Sequence, residues 1–387
     1  MGRGGRTTAF VFLLGAGGTW NAGNVGPIAA DLAADFSVGL GAVGLASGTL
    51  FFAGVVAAGL AGAELARRIP LGVGVRSACL LCFAGNVVLA LAPVFGVLLV
   101  GRVIAGLGAG LVFLFGGGYA RAAGGVRLLG VFGAGITLGI AGALLVGGIL
   151  DDARADWRIA FAASAAVALI PLTVLPSKLP AAVPRSEPTG GLLGQALGSL
   201  GFWRVSLLGM ATLGVPFVIG AWLVSYLTDQ DTVAAGLAGL ISFGIFGLSA
   251  LMRYVGGRLS ASGVSPAWVS LGGCGLGAAG IALLAIDNTV GWALVAVLLI
   301  GLGLSVPGAL AYDEAERALP GRPLGGLGLM QVGVNAFPIP VIPLVGAALE
   351  GGNPEPAFLA MAAFVLLAGL ANLRPVGGPN APSGDPG

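Results

Sequence analysis

Histidine is absent from this sequence, and charged residues occupy only 9% of its 387 positions. Without histidine the commonest general base and the commonest nitrogen ligand for a metal are both missing. No acid pair, nucleophile with a neighbouring base, or cluster of metal ligands stands out elsewhere, so the sequence points to no enzyme and to no cofactor. Cysteine is scarce too: Cys79 and Cys82 lie in SACLLCFAG and Cys274 in GGCGLG, all apolar stretches. A CxxC spacing with no second ligand pair, inside an expected helix, reads as core thiols that behave as small hydrophobes. Soluble domains carry roughly a quarter charged residues, so this scarcity excludes an ordinary soluble domain. A net charge of +2 gives no basic footprint for nucleic acid. The glycine-rich GLGAG at 106–110 neither opens a helix after a strand nor precedes a lysine, which excludes a phosphate-binding loop.

What the chain has in abundance is apolar length. Hydrophobic residues make up 57% of it, the mean hydropathy is +1.01, and its 72 glycines suit helices that approach one another closely in a membrane. A transmembrane barrel needs strands of about ten residues with alternating polarity; these apolar runs are twice that. Charge and Gly/Pro punctuation place twelve runs near 8–30, 38–63, 71–93, 95–119, 128–150, 157–176, 201–227, 235–256, 266–286, 290–312, 324–349 and 356–374, each long enough for a bilayer of roughly 20 residues. The basic, then apolar, start resembles a signal peptide, but its run continues to about Ala30 and reads as a retained first membrane helix. The expected fold is therefore an all-α integral membrane protein of twelve transmembrane helices in two six-helix bundles. Residues 1–176 form the first bundle, 177–199 a polar cytoplasmic linker, 200–375 the second bundle and 376–387 a disordered tail. With the N-terminus inside, 15 of the 18 basic residues fall on the cytoplasmic side, leaving Arg102, Arg154 and Arg158. Both termini are then cytoplasmic.

Weak repetition supports the two halves. GLGAG at 106–110, followed by GGYARA, matches GLGLS at 301–305, followed by LAYDEA, and Trp20 and Trp222 fall at comparable places in the first and seventh runs. Parallel halves around a central site are a recurrent transporter design.

GRVIAGLGAG at 101–110 is similar to the fourth-helix arginine-and-glycine motif of the major facilitator superfamily, and DWRIAF at 156–161 resembles the Trp-Arg that opens its sixth helix. The resemblance covers about 8–374. GLAGAELARRIP at 59–70 resembles the signature loop after helix 2, with Glu64 in the acid's place and Arg67 and Arg68 as the basic pair of a cytoplasmic gate, although its glycine spacing is off by one. GGRLSASG at 256–263 carries Ala261 where an aspartate is often found, which implies a thinner gate network. In the fifth run Gly135, Gly139, Ala143 and Gly147 make a stripe along one helix face. That stripe reads as close packing, because Ile140 replaces the proline of the family's antiporter signature.

Polar and amphipathic side chains in the runs recur four apart, which puts each pair on one helix face. Trp20 and Asn24, with Asn21 beside them, share a face of the first helix, Trp222 and Tyr226 of the seventh, and Gln331 and Asn335 of the eleventh. The resemblance implies a cavity lined by helices 1, 4, 7 and 10 with support from 2, 5, 8 and 11, where these pairs would meet a substrate. Two alternatives stand beside that reading: Trp222 and Tyr226 as interface anchors, and Gln331 and Asn335 as interhelical hydrogen-bond partners. Thr137 and Ser305 are further path candidates. Pro338, Pro340 and Pro343 free backbone groups of the eleventh helix. Arg102 lies about 8 residues, or roughly 12 Å, down the fourth helix, too deep for an ordinary surface charge and with no acid at matching depth. Its expected partners are backbone carbonyls, Thr137 or another neutral group on helix 5 or 1, or a substrate anion, and snorkelling outward is the alternative.

The resemblance implies a monomeric secondary transporter of the plasma membrane, embedded in the lipid bilayer, that moves a small-molecule substrate by alternating access. Proton-coupled export of a neutral or amphipathic compound is the expectation; the rivals are an uptake symporter or facilitator of the same fold and a non-transporting sensor or scaffold.

Overall fold

A computed structural model describes residues 3–176, 191–228, 233–261, 265–287, 289–319 and 323–373. Most of the expected linker (177–190) and the tail beyond 373 lie outside the described residues, as do the side chains of 253–261, including Ala261 and its glycine-rich segment. Every described element is helical. In lipid a spanning segment must satisfy its own backbone hydrogen bonds, and a helix does so within itself.

In chain order the long helices are α1 Arg3–Gly23, α2 Leu40–Leu60, α3 Leu71–Ala90, α4 Phe95–Gly125, α5 Arg127–Asp152, α6 Trp157–Thr173, α7 Leu200–Thr228, α8 Ala235–Ala261, α9 Pro266–Ile286, α10 Val290–Ala318, α11 in two pieces, Pro323–Ala336 and Pro338–Glu350, and α12 Glu355–Ala371. Nine helices among the described residues are long and apolar enough to cross a bilayer. The others are α1, with two arginines in its first turns, and α6 and α12, each 17 residues.

Local chemistry sets the ends. Asp156 caps α6 by accepting from Arg158 N at 2.9 Å, and Ser199 caps α7 by accepting from Phe202 N at 3.1 Å. The first run is shorter than expected: α1 stops at Gly23, and Pro27 disfavours helix at the residue before it. The chain then makes one 3₁₀ turn and a short helix, Ala29–Asp35. The eleventh run likewise breaks at Phe337, just before Pro338 and Pro340.

Within the first half α1 packs on α5 and α6, α3 on α4 and α6, and α2 on α4. In the second half α10 packs on α8 and α9, and α9 on α12. The fifth-helix stripe is the α1 contact: a Cβ at Gly135 or Gly139 would run into the carbonyls of Phe12 or Ala16, and Gly147 faces Pro27. The two glycine-rich repeats play the same role in each half. Gly106 abuts Phe51 of α2 while Gly108 would place a Cβ 2.6 Å from Cys82 N of α3; a Cβ at Gly301 would stand 2.9 Å from Leu248 of α8, and one at Gly303 2.6 Å from Gly277 N of α9. Each motif wedges its helix between two neighbours, so the halves are pseudo-symmetric copies.

The halves meet along two main seams, α5 with α8 and α2 with α11. At the end of the bundle where α1 stops, the halves are in direct contact. Ser225 of α7 donates to Gly26 O at 2.9 Å, and the buried Trp222 indole lies against Gly44 of α2 and Gly346 of α11. Deeper in, Thr49 of α2 donates to Ile339 O of α11 at 2.7 Å. That carbonyl is free because Pro343, four residues on, has no N–H to offer it.

Candidate functional site

Arg102 is 0% exposed, and four of its N–H groups are engaged. Nη1 donates to Asn24 Oδ1 at 3.0 Å, Nη2 to Asn21 O at 3.1 Å and Ser47 O at 3.2 Å, and Nε to Ala46 O at 3.4 Å. The Phe51 ring lies 4.7 Å from the guanidinium carbon, within the range of a cation–π contact. Two of the carbonyls belong to Leu45–Leu50, where α2 widens into a π-helical turn. Such a turn loosens the ordinary backbone ladder and is how α2 comes to offer Ala46 and Ser47 as acceptors.

The amides carry the bonding outward. Asn24 Nδ2 donates to Asn86 Oδ1 at 3.2 Å and to Ser164 Oγ at 3.0 Å. Asn86 Nδ2 donates to Asn21 Oδ1 at 2.6 Å and to Cys82 O at 2.7 Å, Ser164 Oγ to Ala160 O at 2.7 Å, and Asn21 Nδ2 to Gly18 O at 3.2 Å. The network ties α1, α2, α3, α4 and α6 together inside the first half. Among the described residues no carboxylate pairs with Arg102. Its charge is held by neutral dipoles, as expected for helix 1 and for backbone carbonyls. Thr137 is not among its partners: that hydroxyl donates to Gly133 O of its own helix. Nor does the side chain snorkel. Asn86, Ser164 and Ser47 were not anticipated; the signal for Asn86 was available, since it is the one amide in the Leu71–Ala90 segment.

The other candidates fall into separate places. Trp20, half-buried, lies on the α5 side of α1, 2.9 Å from where a Cβ at Gly142 would stand. Trp222 Nε1 donates to Ile342 O at 2.9 Å, and the Tyr226 hydroxyl donates to Leu284 O of α9. Both side chains are buried, so they are not anchors at a lipid interface. Ser305 donates to Gly301 O within α10. Gln331 Oε1 accepts from the Tyr312 hydroxyl of α10 at 3.2 Å, and Asn335 Nδ2 donates to Gln331 O at 2.8 Å. The Tyr312–Gln331 bond is of the interhelical kind named as an alternative, whereas Asn335 bonds back within its own helix. Glu64 pairs with Arg67 and Arg68 on the short helix Gly62–Arg68. Hydrogen bonds from Arg67 and then Arg68 hold its carboxyl below the usual range. The three close on one another along one helix face.

The Arg102 network thus sits beside, and not across, the plane between the halves; Trp222, Thr49 and the proline-broken α11 occupy that plane. In fold the chain is similar to a bacterial homologue of the human lysosomal transporter Spinster in an inward-facing, occupied conformation (16% identity, 94% of this chain and 95% of that one, TM-score 0.74). It is also similar to a D-xylose-proton symporter (15%, 95% and 96%, 0.71) and to a POT family transporter in complex with 5-aminolevulinic acid (11%, 95% and 95%, 0.74). No curated protein sequence matches it significantly. The family model described as Major Facilitator Superfamily matches residues 9–325, and with that span and the two-half helical fold the chain belongs to the Major Facilitator Superfamily.

Proposed function

We propose that the protein is a secondary transporter that exports a small neutral or amphipathic solute, coupled to protons, as halves 1–176 and 200–375, joined by the linker 177–199, rock about the plane between them. In this reading it works as a monomer in the plasma membrane with both termini cytoplasmic, and the end sealed by Trp222 faces outward. One observation carries the choice of solute: among the described residues the uncharged polar side chains at membrane depth are mainly amides and hydroxyls, and the one fully buried cation, Arg102, already spends four donors inside its own half. An anion would find no open charge there. Gln331, Asn335 and Tyr312 are the groups offered to a solute, and Arg102 with Asn21 and Asn24 holds the wall opposite. Trp20, Thr137, Tyr226 and Ser305 shape that path through packing.

An uptake symporter or facilitator is the second reading, favoured by the likeness to the D-xylose-proton symporter. A thermal-shift screen of the purified protein against metabolites and drugs supplies a solute. Flux in proteoliposomes under an imposed pH gradient then gives its direction. Outward movement against proton entry supports export, and movement with protons supports uptake. Asn335→Ala is expected to lower flux several-fold at unchanged protein level. Unchanged flux in both Asn335→Ala and Arg102→Ala removes the proposed path, and stabilising ligands that never move support a sensor.

A further inference from the structure

Two carboxylates finish helices at the sealed end. Asp152 is the last residue of α5 and Glu350 the last of α11. Each stands one turn beyond a glycine pressed on the opposite half: Gly148 packs against Ala235 and Gly239 of α8, and Gly346 would place a Cβ 2.7 Å from Leu40 O of α2. That turn carries the carboxylate to the start of the facing helix. Asp152 Oδ2 accepts from Gly236 N at 2.8 Å, and Glu350 Oε2 accepts from Gly41 N at 3.4 Å. Glycine at Gly236 and at Gly39 leaves room for the two carboxylates. A Cβ at Gly236 would stand 2.5 Å from Asp152 Oδ2, and one at Gly39 would overlap the Glu350 carboxylate.

The first N–H groups of a helix have no partner within it and carry the positive end of its dipole. Among the described residues neither carboxylate has an ion-pair partner, and Arg158, the paired cation at this end, is taken by Asp35 and Asp156. The helix starts are therefore what compensates Asp152 and Glu350. The seams α5–α8 and α11–α2 are equivalent under the pseudo-symmetry, so one contact occurs twice.

We propose that Asp152 and Glu350 are a matched pair of electrostatic latches that hold this end of the bundle closed, and that both release when it opens; this rests on the alternating-access reading above. A carboxylate at a helix start shifts an equilibrium by a factor of about two to five, so two acting together shift it on the order of tenfold.

The test uses the full-length protein in nanodiscs. Its cysteines are buried, so a reporter thiol at Ala221→Cys, beside Gly26 at the junction, is read by a membrane-impermeant maleimide. Asp152→Asn and Glu350→Gln each raise the labelling rate about two- to fivefold and the double variant about tenfold. Gly236→Ala, which crowds Asp152 from its seat while leaving every charge in place, raises it like Asp152→Asn. High salt speeds labelling in the parent and leaves the double variant unchanged. A double variant that labels within twofold of the parent, or that responds to salt as the parent does, overturns the latches. Labelling unchanged while solute still moves sinks the latches alone; labelling that responds in a protein that moves no solute sinks the transport reading alone.

Discussion

Arg102 is a charge solvated by protein dipoles instead of by an acid, and this makes its chemistry unforgiving. Removing it in Arg102→Ala strands Asn24 Oδ1 and the carbonyls of Asn21, Ala46 and Ser47, all of which it serves. A buried acceptor left without a donor costs about 1–3 kcal/mol, so the total is on the order of 3 kcal/mol or more even after relaxation. Arg102→Lys keeps the charge but not the planar fork that reaches α1 and α2 at once, and it should lie between. Thermal denaturation in detergent checks the order: Arg102→Ala lowest, Arg102→Lys intermediate, Asn335→Ala near the parent protein. An Arg102→Ala protein that melts with the parent removes the network's structural role. The arginine and its missing acid were legible in the sequence, as were Asn21 and Asn24 as polar candidates, but the expected pairing of Trp20 with Asn24 was not met, since Trp20 turns to Gly142 of α5 while Asn24 meets Arg102. Ser164 and the widened turn at Leu45–Leu50 were not, because no pattern in one segment records which residue of another helix stands opposite.

Helices were legible because hydropathy acts along one segment at a time. The second run, expected at 38–63, is Leu40–Leu60, and the seventh, expected at 201–227, is Leu200–Thr228. The misses are at α4 and α10, which run six residues past the expected ends to Gly125 and Ala318, and at α1 and α11, where prolines interrupt an apolar run. Glycine spacing carried further than length did: GLGAG and GLGLS proved to be equivalent wedges. That equivalence makes two classes of glycine with opposite responses. Gly108 and Gly303 touch neighbouring backbone, so Gly108→Val or Gly303→Val must push neighbouring helices apart and should cost on the order of 2 kcal/mol or more. Gly272 and Gly275 on α9 meet nothing within 4 Å. There Gly272→Ala and Gly275→Ala fill open space and remove backbone freedom, for a gain of about 0.5–1 kcal/mol each. Melting temperatures of the four variants should split into a lower pair and a higher pair; a common direction for all four contradicts the wedge.

At the scale of the whole molecule the question is whether the sealed end must open. The α2–α11 seam joins the two halves, and at its outer turn a Cβ at Gly41 would stand 3.3 Å from Ala347 Cβ. Cysteine Cβ atoms in a disulfide are about 3.5–4.5 Å apart, so the pair needs only a small backbone adjustment. Gly41→Cys with Ala347→Cys should therefore oxidise readily and tie the halves together at that end alone. The native thiols do not compete, since Cys79, Cys82 and Cys274 are buried. A single site exposed to each side in turn requires both ends to open once per cycle, so the bridge should reduce flux to background and a reductant should restore it. Oxidising the parent protein should change nothing. Flux that continues with the bridge fully formed, as mass spectrometry would verify, means that solute never passes the plane where Trp222, Gly44 and Gly346 meet. The rocking of two halves would then fail as the mechanism even though the fold stands.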